Sequence, residues 1–256
     1  HFLLPLAAAL WSTSTAETFD FPASYAIGFF ENHGMLRFRR FQWRTVTGGS
    51  RRYVDALIDR LPNGVNLSQP VHSVRRHDDG VAVRIGDRSE RFDALILASH
   101  PDQSLAMLDD PSPAEQELLG AFSYVDNDTV LHTDTAFLPS RRSAQGSWNY
   151  RMHDCANPTP TVTVTYDISR LQRLPGPERY LVTLNRAMPI DPSRVIETLN
   201  YSHPRYTFAS LAAQQRMHEI DGVRRTWFCG AWRGYGFHED GLRSALEAAR
   251  SLGGGW

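Results

Sequence analysis

Between residues 48 and 64 the apolar positions fall at Tyr53, Val54, Leu57, Ile58 and Leu61, the spacing of one face of an α-helix, and Pro62, Asn63 and Gly64 close the pattern. The period then changes. From residue 71 to 99, short β-rich runs are separated by Asp79-Gly80 and Gly86-Asp87, pairs that favour tight hairpin turns, so a three-stranded meander is predicted. Its final run, residues 94–98, is continuously apolar, which predicts a strand buried on both faces. Residues 101–120 read as helical with a turn at 109–113. Strands are then predicted at 129–134, 147–152, 161–166 and 180–185, with Pro and Gly between them, and helical sequence returns at 208–217.

The last thirty residues read strand, glycine-rich turn, helix. Leu242, Ala245, Leu246, Ala249 and Leu252 give the closing helix one apolar stripe, and Asp240 is its expected N-cap. Gly230, Gly234, Gly236 and Gly241 crowd this turn, with His238, Glu239 and Asp240 among them. Glycines let a backbone approach a ligand, and a helix N-terminus favours an anionic group. A plain strand-to-helix connection would use the same residues, so the turn alone names no ligand.

Composition removes several classes. With 41% hydrophobic and 21% charged residues, the 256-residue chain has the makeup of a folded globular protein. Every basic residue is Arg and none is Lys, which excludes Schiff-base and P-loop lysine chemistry. Cys155 and Cys229 are far apart and form no CxxC pair, so neither a disulfide framework nor a zinc knuckle is indicated and a reducing, cytoplasmic setting is expected. The longest apolar run, residues 2–11, is about half of the roughly 20 residues a membrane span needs. Peripheral membrane contact is compatible with it. The run lacks a charged leader, and a chain that starts at His1 and enters directly into apolar sequence is expected to be the C-terminal part of something longer.

Two further chemistries have blander counterparts. Arg37, Arg39, Arg40, Arg44, Arg51 and Arg52 lie among Phe38, Phe41 and Trp43, superficially suiting single-stranded nucleic acid, but a net charge of -1 favours a solvated strand face. Some of these arginines could instead meet an anionic substrate head group. The ten histidines form no HExxH, there is no G-x-S-x-G, and His132 and Asp134 sharing one strand face do not close a metal site, so neither metal nor hydrolase chemistry is expected.

Taken in order, three features resemble the flavin-containing amine oxidase and phytoene-desaturase-like oxidoreductases. Gly48-Gly49 opens a helix that ends before a β-hairpin. Val71 and Val74 are followed by Gly80-Val81-x-Val83 and by Asp93-Ala94-Leu95-Ile96-Leu97-Ala98. Phe228-Cys229-Gly230-Ala231 is followed by Gly241-Leu242-x-Ser244-Ala245. The stretches GAWRGYGFHEDGLRSALEAA and GSWNY are similar to a bacterial subgroup described only as NAD/FAD-binding.

The resemblance implies an FAD oxidoreductase of mixed α/β type. Its FAD/NAD(P)-binding Rossmann-like domain is discontinuous and N-terminally truncated, and carries an inserted antiparallel-sheet substrate domain. Residues 1–47 and 106–222 would form the substrate domain, and 48–105 and 223–256 the FAD-binding parts. It implies flavin contacts from Val71, Ala98, Gly230, Ala231, Gly236, Phe237, Glu239, Asp240, Gly241 and Leu242, with the helix at 240–242 aimed at the flavin C2=O edge. That edge gathers negative charge on reduction, which a helix N-terminus stabilises. His238 is the candidate catalytic side chain beside a flavin N5 that carries the hydride. Trp148, Tyr150 and Trp232 are expected to line a largely apolar substrate pocket. With arginines at its mouth, such a pocket suits an acyl lipid or isoprenoid better than a small polyamine, with NAD(P)H or oxygen closing the cycle.

Two departures stand out. No G-x-G-x-x-G pyrophosphate-binding string occurs in the 256 residues. Ala231 replaces the family's usual acidic residue, so its contact to the ribityl chain is lost or supplied elsewhere, with Glu239 the neighbouring candidate. The rival reading is therefore a non-catalytic chain that keeps the substrate domain and binds a ligand or partner without redox chemistry.

Overall fold

A computed structural model describes residues 3–11, 18, 21–36, 38, 42, 44–152 and 162–254. Cys155 and, from the arginine-aromatic stretch, Arg37, Arg39, Arg40, Phe41 and Trp43 lie outside the described residues. In chain order the elements are α1 (Leu3–Leu10), α2 (Ala23–Asn32), α3 (Arg51–Ile58), β1 (Val71–His77), β2 (Gly80–Ile85), β3 (Arg88–Phe92) and β4 (Leu95–Leu97). Then follow α4 (Pro101–Met107), α5 (Pro113–Gly120), β5 (Ser123–His132), β6 (Trp148–Arg151), β7 (Thr163–Asp167), α6 (Ile168–Gln172) and β8 (Leu181–Leu184). The chain finishes with β9 (Val195–Arg205), α7 (Phe208–Arg216), β10 (Thr226–Phe228) and α8 (His238–Ser251). Short 3-10 turns link several of them. Two compact units result, one from residues 1–65 and 124–203, the other from 66–123 and 204–256. The helix that Gly48-Gly49 opens therefore clusters with the first unit, and α4 and α5 with the second.

The first unit is built on a five-stranded sheet of order β6-β7-β8-β5-β9, in which β6/β7, β7/β8 and β5/β8 run antiparallel. Period-2 alternation gives β7 two different faces. Val164, with Val162 beside the strand, packs on Ala8 and Ala9 of α1, and Trp148, Tyr150 and Tyr166 close round that cluster. The opposite face buries Thr163, Thr165 and Asp167.

Buried hydroxyls need partners, and here they form a chain. Thr165 and Thr183 are register partners whose hydroxyls lie 2.9 Å apart, and Thr183 Oγ1 is 2.7 Å from His132 Nε2. The backbone N–H of Asp134 donates to His132 Nδ1 at 3.1 Å, which requires that nitrogen to be unprotonated. Burial pushes the His132 imidazole below its ordinary value, with Asp134 pulling weakly the other way. Asp134 is not on the strand face with His132, as the sequence suggested. β5 has ended, and the Asp134 carboxylate instead caps the next turn through Ala136 N–H at 3.0 Å.

α3 is eight residues long, shorter than its periodic stretch, because the chain passes into tight turns before Pro62. Its apolar face stays exposed, Leu57 by 57%. β9 and the first two helices are additions that the hydrophobic pattern did not mark.

The second unit has the expected meander, a three-stranded sheet of order β1-β2-β3 with antiparallel pairing throughout. The apolar run after it does not continue that sheet. β4 leaves to pair in parallel with β10, with register Thr226↔Leu95, Trp227↔Ile96 and Phe228↔Leu97. Nor is it buried on both faces: Leu97 is buried, but Ile96 is 37% exposed, since β10 is its one strand neighbour among the described residues.

A buried ion pair ties the meander to the helices. The Arg76 guanidinium lies between Glu115 of α5 and Asp110, donating to Glu115 Oε2 at 2.9 Å and to Asp110 Oδ1 at 3.0 Å, while Arg224 also pairs with Asp110. Glu115 accepts the Ser112 N–H at 2.7 Å as the far half of a capping box. Burial alone would raise the Glu115 carboxyl, but the hydrogen bonds from Arg76 and Ser112 outweigh it and hold the carboxyl below its ordinary value.

Two predictions follow from these buried charges and dipoles. Glu115→Ala leaves the Arg76 guanidinium buried beside a single carboxylate, an expected loss of about 3–5 kcal/mol in denaturant unfolding. For His132, the folded state binds fewer protons than the unfolded one, so stability rises with pH and is lost as pH falls below about 6.5. Thermal melts from pH 7.5 to 5.5 should show that decline, and His132→Gln should flatten it.

Candidate functional site

The candidate site lies at the carboxyl ends of β4 and β10, where open α/β sheets place their ligands. Ala98 and Cys229 are the first residues beyond the paired register, and the Cys229 N–H donates to the Leu97 carbonyl at 3.0 Å. Ala98 is exposed. Gly230 follows at φ +155°, a conformation few side chains adopt, and any Cβ there would run into the Trp232 indole. Its N–H donates to Ser244 Oγ at 3.0 Å, and that hydroxyl reaches the Gly241 carbonyl at 2.9 Å. One serine thus pins the strand end to the first turn of α8.

Residues 231–236 form a compact turn held from three directions. Gln214 of α7 donates from Nε2 to the carbonyls of Trp232, at 2.7 Å, and Gly234, at 2.9 Å. Asp221 accepts the Phe228 N–H at 3.1 Å and pairs with Arg233 at 2.5 Å, while Arg233 also donates to the Phe228 carbonyl at 2.8 Å. The Gly236 N–H returns to the Ala231 carbonyl at 3.1 Å, and a side chain at Gly234 would collide with the Asp240 carboxylate. Ser244 stood in the motif that carried the resemblance. Gln214 and Asp221 carried no local signal, because each acts on backbone that is distant in sequence.

α8 begins at His238 with Phe237 at the N-cap, so Asp240 is not the cap. It sits one turn further in, 5% exposed, accepting the Phe237 N–H at 3.1 Å on one oxygen and pairing with Arg243 at 2.5 Å on the other. An N3 carboxylate that closes back on the cap supplies one half of a capping box, the half that satisfies the N-cap N–H; Phe237 has no acceptor for the other. The buried face of α8 is Asp240, Ser244 and Ala248, whereas Leu242 is 48% exposed. The apolar stripe read from the sequence is therefore rotated: Ser244 and Ala248, not the leucines, are buried, and a Cβ at Gly241 would sit in ordinary van der Waals contact with Ala231.

The structure brings Ala98, Gly230, Ala231, Gly236, Phe237, His238, Glu239, Asp240, Gly241 and Leu242 to the neighbourhood of this one turn, with Gly236, Phe237, His238, Glu239 and Leu242 at the surface. Val71 lies elsewhere in the unit, half-buried at the start of β1 opposite Ile85. The three aromatic candidates are divided. Trp148 and Tyr150 pack on the α1–β7 cluster of the first unit. Trp232 belongs to the second and is 3% exposed, its Nε1 donating to the Ser99 carbonyl at 3.2 Å and its ring set edge-on to Phe122.

Burial pushes the Cys229 thiol up, which keeps it a protonated core group and not a nucleophile. Among the described residues no group of three or more His, Cys, Asp or Glu is placed to hold a metal, and no helix is long and apolar enough to cross a membrane.

At this edge Ala98 and Gly236 are exposed and Gly230 and Ala231 half-buried, beside the first turn of a fourteen-residue helix. The profile of the flavin containing amine oxidoreductases matches residues 2–252, and the chain belongs to that family. Solved structures agree on the fold. A CLA-producing fatty acid isomerase from P. acnes superposes with a TM-score of 0.67 at 14% identity, covering 97% of this chain and 62% of its own. Cyclohexylamine oxidase from Brevibacterium oxydans IH-35A gives 0.64 at 13%, covering 97% and 62%. Putrescine oxidase gives 0.54 at 14%, covering 81% and 53%. The chain thus spans less than two thirds of the length of these relatives. No curated protein sequence matches it.

Ser244→Ala removes the acceptor of a buried N–H. The expected cost is about 1–3 kcal/mol, read as a lower melting temperature, with the helix content of the folded protein unchanged by circular dichroism.

Proposed function

We infer that this chain works as part of an FAD-dependent oxidoreductase whose β4–β10 edge meets the flavin. The observation that carries the reading is the family match across nearly the whole chain, on a turn whose glycines, clamps and helix start leave backbone open at the sheet's carboxyl end. FAD, when bound, supplies the hydride acceptor at N5, chemistry that no protein side chain provides.

The chain's own part is positioning. Gly230, Ala231, Gly236 and the α8 start at Phe237, His238 and Glu239 would hold the ring system, with Ala98 and the exposed Leu242 beside it. Glu239 would take the ribityl contact for which Ala231 has no carboxylate. His238, exposed on the first turn of α8, is the candidate catalytic side chain there. The substrate is an apolar molecule, an acyl lipid or isoprenoid, or an amine. The solved relatives that act on a fatty acid and on cyclohexylamine support that range.

The second reading, ligand binding without redox chemistry, draws on the missing G-x-G-x-x-G, since FAD pyrophosphate is held by such a loop in dinucleotide-binding units. Titrating the chain with FAD and following flavin fluorescence separates the two. Saturable quenching is expected, weakened about tenfold (about 1.4 kcal/mol) by Leu242→Asp, which puts a carboxylate on the exposed first turns of α8. No saturation at millimolar FAD would favour the non-catalytic reading. With flavin bound, anaerobic bleaching by lipids or by amines identifies the substrate class.

A further inference from the structure

A second cleft lies wholly within the first unit and takes no part in the flavin reading. Its volume is about 900 Å³, and its walls are Gln42, Arg44, Thr45 and Thr47 on one side and Ser147 with Arg170–Arg173 on the other. Three arginines line it, and among the described residues no carboxylate does.

The acid closest in sequence is already committed. Asp167, fully buried, accepts the Arg170 backbone N–H at 2.9 Å and pairs with Arg179. Arg44, Arg170 and Arg173 make no ion pair among the described residues, whereas Arg51, Arg179, Arg186 and Arg194 of the same unit pair with Asp55, Asp167, Asp128 and Asp191. Like charges left together without a counterion repel, and an anion between them relieves that cost.

Shape and donors narrow the ligand. The remaining lining is hydroxyl and amide from Thr45, Thr47, Ser147, Gln42 and Gln172, with Leu171 the sole apolar side chain. The volume is that of a whole small-molecule site and far exceeds a lone inorganic ion. Planar guanidinium forks match the paired oxygens of phosphate groups, and several forks converging on a string of oxygens match a diphosphate better than a single carboxylate.

The backbone keeps its charge there at a cost. Arg173 ends α6 in the left-handed region at φ +52°, where glycine or asparagine is the usual residue. The Gly48-Gly49 turn, also left-handed at both residues, abuts the Gln172 amide on the same wall.

We propose that this cleft is a binding site for a diphosphate-bearing small molecule. The proposal does not depend on the flavin reading and is tested without flavin. Isothermal titration of the chain with inorganic pyrophosphate in 150 mM NaCl, near physiological ionic strength, should show saturable heat. Arg44→Gln, Arg170→Gln and Arg173→Gln should each weaken it about tenfold, and the three together should abolish it. All three side chains are exposed, so the melting temperature should hold. Arg173→Gly is the stricter variant, because it relaxes the left-handed backbone and should keep or raise the melting temperature while still weakening binding. ADP and geranyl diphosphate then distinguish the sources: tighter binding of the first marks a nucleotide, of the second an isoprenoid. Absence of heat at millimolar pyrophosphate, binding undiminished in the triple variant, or tighter binding of laurate than of pyrophosphate would each overturn the proposal.

Discussion

The geometry of the candidate flavin edge depends on how closely α8 can approach the end of β10. Ser244 Oγ takes the Gly230 N–H, and the residues at that contact, Gly230, Ala231, Gly241, Ser244 and Ala248, carry almost no side chain. A side chain at Gly230 would strike the Trp232 indole, and loss of the Ser244 hydroxyl would leave the half-buried Gly230 N–H without that acceptor, at a cost comparable to a whole hydrogen bond. Only with the helix this close does the 231–236 turn fold back on itself. It is then held by Gln214, Asp221 and Arg233, which leaves the outer backbone exposed.

A chain without lysine uses arginine for two unlike purposes. Arg76, Arg224 and Arg233 are fully engaged, each bonding both carboxylates and carbonyls, and they fasten the meander and the turn to their helices. Replacing such a pair with apolar residues can be neutral, whereas removing one partner is not, so these arginines matter chiefly for which arrangement forms. The arginines of the 900 Å³ cleft show the opposite pattern, exposed and unpaired among the described residues. The same guanidinium thus serves as fastener where it is surrounded and as ligand surface where it is not.

Where the residues announce their own turn or period, the sequence was legible. Asp79-Gly80 and Gly86-Asp87 mark the meander, Pro113 after Ser112 marks the restart at α5, and the strand-turn-helix at the end was readable from its glycines. β9 was not. Its eleven residues, VIETLNYSHPR, have neither alternation nor a buried face, and it joins the sheet beside β5 through its backbone. The apolar run at 94–98 predicts a strand buried on both faces at the end of the meander, but parallel pairing with residues more than a hundred positions later has no local signature. For α8 the apolar period misled, because Leu242 and Leu252 drew the stripe while Ser244 and Ala248 made the contact. Trp232 shows the limit for site residues: an indole beside a glycine-rich turn suggests a pocket wall, but its N–H has a carbonyl to satisfy and its ring is sealed against Phe122.

Asp240 sets how the α8 start can treat a ligand. The positive end of a helix normally attracts an anion, but here a buried carboxylate already lies in the first turn, closing on Phe237 N–H. That charge would oppose an approaching anion were it not paired with Arg243 at 2.5 Å, which restores the balance and places a cation on the adjoining surface. With the exposed Glu239 also in this turn, the helix end presents hydrogen-bonding capacity without a strong positive field. That suits a neutral ring that gains electron density only during reaction better than a permanently charged group. A phosphate is better served by the unpaired guanidinium groups of the other unit, and on these grounds the two candidate sites of this chain divide their ligands by charge.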